Sequence, residues 1–210
     1  QGTEWGSLHP CCLSGSARFF KPAYSIFLIK KWLPSIKDAV ATLTRGGSFA
    51  DIGCGFGHST TMIAEQFPQS SIRGIDPHEQ SIHEARKMAE QKNLNNLTYE
   101  IASAENYTGE YDIISFFDCL HDMGDPVAAV SYAKTKLKAG GALMIIEPYA
   151  DDEVSKNFNI IGQMYYSFST IACVPASKSQ EGGLALGAQA GLKKLTNVLN
   201  NGGFSQVKMT

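Results

Sequence analysis

The sequence lacks the features that mark membrane, secreted and nucleic-acid-binding proteins. Its longest apolar run near the start, Ile26–Ile29, stops at Lys30 and is far too short to cross a bilayer. No charged segment, apolar core and small-residue cleavage site follow one another as in a signal peptide. The formal net charge of -2 provides no basic field for nucleic acid. We therefore expect a soluble protein that binds neither membranes nor nucleic acid.

Cysteine is present in a number and spacing that argue against structural disulfides and zinc. The chain has 5 cysteines, an odd number, and their spacing is not that of a zinc site. Cys11 and Cys12 are adjacent, which is a poor geometry for a disulfide. We therefore expect a reducing, cytoplasmic setting.

From about residue 48 onward, strand and helix patterns alternate along the chain. With 210 residues, 43% of them hydrophobic, the chain can bury one sizeable core. Apolar runs predict strands over 48–52, 71–76, 97–101, 111–117 and 142–146. Helical periodicity predicts helices over 59–67 and 126–137 and a further helix that starts at Asp76. This order predicts a doubly wound, mostly parallel α/β sheet with ligands at the carboxyl ends of its strands.

Two regions fall outside this alternation. Residues 1–45 predict short helices, and residues 149–188 form a long excursion with an apolar stripe at helical spacing. A helix marked by Leu192 and Leu195 follows, and Phe204–Met209 is predicted as a last, sixth strand. The central alternation is thus flanked and interrupted by helical segments.

The run from Asp51 to Gly57 joins the first strand to the first helix of the alternation. Its spacing is G-x-G-x-G, whereas the dinucleotide-binding fingerprint is G-x-G-x-x-G, and His58 follows Gly57. Glycines in such a turn let the backbone approach a ligand closely. The acid at the root of the loop suits a ligand with an ammonium group and would repel a pyrophosphate. A nicotinamide dehydrogenase, the rival interpretation, is therefore disfavoured.

This loop is the first of several motifs that follow one another along the chain. Together with Gly74-Ile75-Asp76 and the run from Leu137–Gly141 to Glu147-Pro148, it resembles the class I S-adenosylmethionine-dependent methyltransferases from about residue 46 to the end. The resemblance implies a Rossmann-like fold, S-adenosylmethionine as cofactor and S-adenosylhomocysteine as product. It also implies a methyltransferase domain over 46–210 with a lid insertion over 149–188, preceded by a helical cap over 1–45.

A closer resemblance rests on three further runs. Phe116–Pro126, Tyr165–Thr170 and Leu184–Gly191 are similar to bacterial methyltransferases in which a winged-helix domain precedes the catalytic domain. We therefore expect this chain to be the catalytic portion of a longer protein. Two departures stand out: only the sixth strand of the family's terminal two-strand hairpin is evident, and Ser103 replaces the acid that often binds adenine.

The resemblance assigns most cofactor contacts to the carboxyl ends of the strands. Gly53, Cys54 and Gly55 would pass beneath the methionine part, with Asp51 near its ammonium group. Asp76 would accept hydrogen bonds from the ribose hydroxyls. Two structural alternatives stay open, because Asp51 can stabilise the turn and Asp76 can cap the following helix.

The remaining cofactor contacts fall on loops. Pro77 would lie against the adenine face, and Ser103 and Ala104 would contact the adenine edge. Asp118 follows the fourth strand, and the resemblance places its loop near the methionine part. A solvated turn acid is the alternative role for Asp118.

His121 is the candidate catalytic residue. Plant-type O-methyltransferases carry a Cys-His-Asp-Trp-like stretch in this loop, whose histidine is the general base, and here Leu120-His121-Asp122 occupies the similar place. A near-neutral pKa suits a histidine that removes a hydroxyl proton. The alternative is a histidine that only packs in the loop. Asp118, Asp122 and Asp125 also suggest a metal, but Asp125 looks like a helix start, so we expect no metal site.

The sequence therefore predicts methyl transfer from S-adenosylmethionine to an oxygen atom of a small, partly apolar acceptor. Tyr165, Tyr166 and Phe168 of the excursion could wall the acceptor pocket or simply pack a lid helix. The alternative function is a non-catalytic sensor of S-adenosylmethionine within a winged-helix protein.

Overall fold

The computed structural model describes residues 2–210 and divides into two compact units. One, the sheet unit, comprises His9–Phe117 and Thr135–Met144, with Thr210. The other, the helical unit, comprises the residues up to Leu8 together with Asp118–Lys134 and Ile145–Met209. Each unit is described by itself.

A five-stranded sheet forms the core of the sheet unit. Its strands are β1 (Ser48–Ile52), β2 (Ser71–Asp76), β3 (Leu97–Ile101), β4 (Tyr111–Phe117) and β5 (Leu137–Ile146), in the order β3-β2-β1-β4-β5. The pairs β1–β2, β1–β4 and β2–β3 are parallel. Ile52 is in register with Ile75 and with Phe116, so the carboxyl ends of the three central strands lie side by side. The doubly wound α/β prediction is confirmed.

The sheet is held by large apolar side chains with no exposed surface. Phe49, Ile72, Ile75, Ile114 and Phe116 are all 0% exposed. Burying a side chain of this size contributes about 1.5–3 kcal/mol relative to leaving it in water. The near-continuous apolar runs of β1 and β4 are those of strands buried on both faces.

Several helices complete the sheet unit. They are α1 (Pro10–Ala23), a π-helix (Tyr24–Trp32), a 3-10 turn (Leu33–Ser35), α2 (Ala39–Thr44), α3 (His58–Gln66) and α4 (Glu79–Gln91). Ile82, Ala85 and Ala89 form the buried face of α4, as their spacing predicts. The predicted short helices before residue 45 are present within this unit. The predicted boundary between residues 45 and 46 stays a prediction.

The helical unit contains the excursion after β5. Its elements are a 3-10 turn (Trp5–Ser7), a 3-10 turn (Leu120–Asp122), α5 (Pro126–Lys136, which enters the sheet unit at its end), a 3-10 turn (Val154–Asn157), α6 (Ile160–Phe168), a π-helical turn (Ser169–Cys173), α7 (Val174–Ser179) and α8 (Leu192–Asn201). The Asp125 carboxylate accepts the Ala128 N–H at 2.8 Å, so Asp125 starts α5 as predicted. The N–H of Gly162 likewise donates to the Asn159 side chain at 2.9 Å and fixes the start of α6.

Two predicted boundaries and one predicted strand are wrong. The fifth strand begins at Leu137 rather than Ala142, directly after α5. Helix α4 begins at Glu79 with His78 as its cap, because both Asp76 oxygens are engaged by other backbone N–H groups. Phe204–Met209 forms no strand in the described chain. The Phe204 N–H instead donates to the Leu199 carbonyl and closes α8.

Within residues 2–210, every helix is too short or too polar to cross a bilayer.

Candidate active site

The glycine loop leaves β1 and turns sharply into α3. Gly53, Gly55 and Gly57 have φ values of 70, 51 and 73°, the left-handed region that glycine enters at little cost. The N–H groups of Gly53 and Cys54 both donate to the Ile75 carbonyl, at 2.8 and 3.0 Å. These bonds hold the loop against the end of β2.

Gly55 and Gly57 serve different purposes. A Cβ atom at Gly57 would lie 2.2 Å from the Tyr99 hydroxyl oxygen, so packing alone requires glycine there. A Cβ atom at Gly55 would meet nothing within 4 Å. Gly55 is therefore the place where the loop backbone faces open space and a ligand can approach it.

Asp51 lies in the interior at the root of the loop. Its side chain is 0% exposed and accepts hydrogen bonds from the hydroxyls of Ser59 (2.6 Å), Thr60 (2.7 Å) and Ser115 (3.2 Å). Burial raises the pKa of Asp51 to about 6, although these three bonds oppose the rise. The contacts are those of the structural alternative, in which Asp51 ties β1 to α3 and β4. Its predicted contact with an ammonium group stays a prediction.

Asp76 ends β2, and its carboxylate also holds the glycine loop. One carboxylate oxygen accepts the Gly55 N–H at 2.8 Å, and the other accepts the His78 N–H at 2.8 Å. Each oxygen keeps a second lone pair, which a ribose hydroxyl can use. Burial raises the pKa of Asp76, while the bonds from His78 and Gly55 oppose that rise.

The other predicted cofactor residues of the sheet unit are Cys54, Pro77, Ser103 and Ala104. Cys54 is buried, and burial together with Asp76 and Asp51 raises the pKa of its thiol. Pro77 and Ser103 are exposed, and Ala104 is half-buried. The Ser103 N–H donates to the Asn106 side chain at 2.8 Å, which fixes the turn after β3.

His121 lies in a buried cluster of the helical unit. The residue is 2% exposed, and its Nδ1 atom is hydrogen-bonded to Glu147. Nε2 lies 3.3 Å from Asp122 Oδ1, and the ring also shares a hydrogen bond with the Cys173 thiol. Burial by itself lowers the pKa of His121, but Glu147, Asp122 and Cys173 outweigh it and raise that pKa well above its usual value. The imidazolium form is thus stabilised here.

Asp118 opens the loop that carries His121. It adopts a φ of 50°, and its N–H donates to the Ile146 carbonyl at 2.8 Å. Burial raises the pKa of the Tyr165 hydroxyl, the Asp118 charge raises it further, and the His121 charge opposes the rise. Asp118, His121 and Tyr165 therefore belong to one electrostatic group within the helical unit.

One group of side chains in the described chain could hold a metal ion. The ligating atoms of His121, Asp122 and Cys173 all lie within 4.8 Å of one another. The metal alternative suggested by the sequence, on Asp118, Asp122 and Asp125, shares only Asp122 with this group.

Sequence reasoning missed two partners of His121. Glu147 directly follows β5, and an acid at the carboxyl end of a strand was a usable signal, since it belongs to the Glu147-Pro148 motif. Cys173 carried no such signal, because it lies in an apolar helical stripe far along the chain. Ser115 and Tyr99, which support the glycine loop, are recognisable from the sequence only as strand residues.

Comparisons with known proteins identify the family. Residues 43–203 match a family model described as a methyltransferase domain. The ubiquinone biosynthesis O-methyltransferase of Acinetobacter baylyi is 27% identical over 129 residues, which cover 58% of this chain and 51% of that protein. A trans-aconitate 2-methyltransferase of Deinococcus radiodurans is 29% identical over 105 residues, 50% of this chain and 39% of that protein. The chain spans about half the length of the curated relatives it matches.

Solved structures agree on the fold. PigF, determined with S-adenosylhomocysteine, matches with a TM-score of 0.72 and 16% identity over 100% of this chain and 59% of that one. An O-methyltransferase family protein from Burkholderia thailandensis matches with a TM-score of 0.67 and 16% identity over 92% of this chain and 53% of that one. The Rossmann-like fold and the expected class I family, whose cofactor is S-adenosylmethionine, are confirmed. The chain therefore belongs to the methyltransferase domain family.

Proposed function

We propose that this chain transfers the methyl group of S-adenosylmethionine to an oxygen atom of a small, partly apolar acceptor in the cytoplasm. The observation that carries the proposal is the open backbone at Gly55, bonded to the Asp76 carboxylate at the end of β2. The name of the Acinetobacter baylyi relative, an O-methyltransferase, supports oxygen as the methylated atom. The odd number of cysteines supports the cytoplasm.

In this proposal the loop and the two acids bind the cofactor. The methionine part passes over Gly53, Cys54 and Gly55, and the ribose hydroxyls donate to the Asp76 carboxylate. Pro77 contacts the adenine face, and Ser103 and Ala104 contact its edge. Asp51 supports the loop from beneath and attracts the ammonium group, and Asp118 lies near the methionine part.

The reaction is an in-line displacement at the sulfonium methyl carbon. The acceptor oxygen forms a bond to that carbon while the carbon–sulfur bond breaks, which releases S-adenosylhomocysteine and a proton. Aligning nucleophile and methyl group supplies most of the acceleration, since well-oriented reactants gain roughly 7–11 kcal/mol.

His121 is the proposed acceptor of the proton. Glu147 fixes the ring through Nδ1, so Nε2 of the neutral ring takes the proton. Because Glu147 and Asp122 favour the imidazolium, the neutral, proton-accepting form becomes more populated as pH rises. An acceptor hydroxyl that reaches Nε2 lies beside Asp122. Tyr165 and Tyr166, half-buried on α6, supply apolar walls for such an acceptor.

The test combines binding and turnover. Calorimetry with S-adenosylhomocysteine and with NAD measures cofactor preference, and we expect binding of the first alone. A panel of phenols and aliphatic hydroxy acids is then incubated with methyl-labelled S-adenosylmethionine, and the label in each acceptor is measured. Label on oxygen supports the proposal. Cofactor binding without transfer to any acceptor favours the sensor function instead.

A further inference from the structure

Three side chains of the helical unit point their ligating atoms at one small volume. His121 and Asp122 lie on the 3-10 turn Leu120–Asp122, and Cys173 ends the π-helical turn Ser169–Cys173. Their ligating atoms lie within 4.8 Å of one another. The side chain of His121 is 3% exposed, and that of Asp122 is 20% exposed. The group is therefore nearly dry, with Asp122 at its accessible side.

Asp122 is incompletely satisfied by the protein. Its Oδ1 atom is buried and accepts no hydrogen bond of regular geometry from the described residues. The groups that face the carboxylate are His121 Nε2, which lies 3.3 Å from Oδ1, and the Cys173 thiol. A buried acceptor without a regular hydrogen bond is unfavourable, and more so when it is charged, so this oxygen is suited to a cation.

The orientation of His121 is that of a metal-ligating histidine. Glu147 is hydrogen-bonded to Nδ1, which directs Nε2 toward Asp122 and Cys173. A histidine that binds a metal typically donates its other ring N–H to a carboxylate or carbonyl. Glu147 occupies that outer position.

We propose that His121, Asp122 and Cys173 form a binding site for a divalent zinc-type ion. Zinc bonds of about 2.0–2.1 Å at a tetrahedral angle separate a nitrogen and an oxygen ligand by roughly 3.3 Å, which matches the distance from Nε2 to Oδ1. An imidazole, a carboxylate and a thiolate together neutralise the ion. Nitrogen and sulfur ligands select zinc over magnesium or calcium. Three protein ligands leave a fourth position for water.

The site has a functional consequence, which rests on the proposed role of His121 as proton acceptor. An ion on Nε2 occupies the lone pair that a general base uses. The zinc-loaded and the proton-accepting forms of His121 therefore exclude each other, and zinc binding is a candidate inhibitory signal.

Cobalt titration of chelator-treated protein tests the site, because a cobalt–thiolate bond produces a charge-transfer absorption. We expect one equivalent of cobalt to bind with that absorption and zinc to displace it. Cys173→Ala is expected to abolish the absorption and weaken binding at least about tenfold. Cys119→Ala is the matched control, since Cys119 lies in the same loop as His121 but outside the group, and it should retain both. Glu147→Gln is expected to weaken binding by about 10–100-fold.

Binding well below one equivalent by wild type, or a charge-transfer absorption that survives in Cys173→Ala, overturns the site. If Cys173→Ala does not fold, as judged by circular dichroism, Cys173→Ser replaces it. Serine preserves the size of the side chain but removes the sulfur, so the absorption must still disappear.

Discussion

The glycine loop and the His121 cluster hold polar groups in different ways. The loop is made mainly of backbone. The N–H groups of Gly53 and Cys54 donate to a carbonyl at the end of β2, and that of Gly55 donates to a carboxylate there. The cluster is made of side chains from three separate segments, which carry His121, Glu147 and Cys173. Backbone sites need a local turn, whereas side-chain sites need distant segments to meet.

The two regions also treat buried acids differently. Asp51 meets only neutral hydroxyl donors, so burial raises its pKa to about 6. Glu147 meets an imidazole, which pairs with it as a cation. The comparison teaches that the surroundings of a buried carboxylate decide its charge. Asp51, bonded only to hydroxyls, is costly to ionise, whereas Glu147 is paired with a cation.

The largest expected effect is on catalysis by the cluster. His121→Ala should lower the methylation rate by about 10²–10⁴-fold, because it removes the proton acceptor, and should leave S-adenosylhomocysteine affinity unchanged. Rates with an acceptor from the screen, together with calorimetry, measure both. His83→Ala, which changes an exposed histidine on α4, is the control and should behave as wild type. A His121→Ala variant that methylates at the wild-type rate would show that the cluster is not the base.

The next effect concerns the stability of the loop region. The folded pKa of Asp51, about 6, exceeds its unfolded value of roughly 3.9, so its ionisation opposes folding as pH rises. Between about pH 4 and pH 7, wild type should lose on the order of 2 kcal/mol of unfolding free energy relative to Asp51→Asn. Urea denaturation across this range measures the difference. Parallel pH dependences would contradict the burial of an unpaired acid.

A third prediction separates Asp76 from an ordinary structural acid. Asp76→Asn should weaken S-adenosylhomocysteine binding by about 10–100-fold, because hydrogen bonds to a charged group contribute roughly 1.5–3 kcal/mol. Asp112→Asn is the matched control, since Asp112 also accepts a backbone N–H, from Ser48 at 2.7 Å, but lies near the amino end of β4. Equal S-adenosylhomocysteine affinities for the two variants would show that Asp76 does not contact the cofactor.

The smallest effect tests the open backbone. Gly55→Ala places a methyl group in the space above the loop and should weaken cofactor binding by about tenfold, an energy of about 1.4 kcal/mol. Gly140→Ala is the control, because Gly140 also has a positive φ, 79°, and a Cβ atom there would likewise meet nothing within 4 Å. Both variants place alanine at a positive φ, so weaker calorimetric affinity in Gly55→Ala alone indicates that the cofactor lies against Gly55. Equal affinities would place the ligand elsewhere.

Most of the fold could be predicted because its signals are local. The apolar runs of β1 and β4 and the helical face of Ile82, Ala85 and Ala89 need only their own neighbours to be recognised. Phe204–Met209 could not be predicted in this way. Its apolar residues allow a strand, but a strand requires a partner edge, and the Phe204 N–H closes α8 instead.

The candidate site also contains some features with local sequence signals and others that depend on distant residues. The sequence by itself determined the glycine loop, since the left-handed backbone angles of Gly53, Gly55 and Gly57 belong to a local turn and glycine adopts them at little cost. Only the tertiary structure decided that Gly57 is required by Tyr99, that Asp51 is enclosed by hydroxyls, and that Cys173 and Glu147 meet His121. Contacts between residues far apart in the chain depend on where whole helices and strands pack, and no local pattern encodes that.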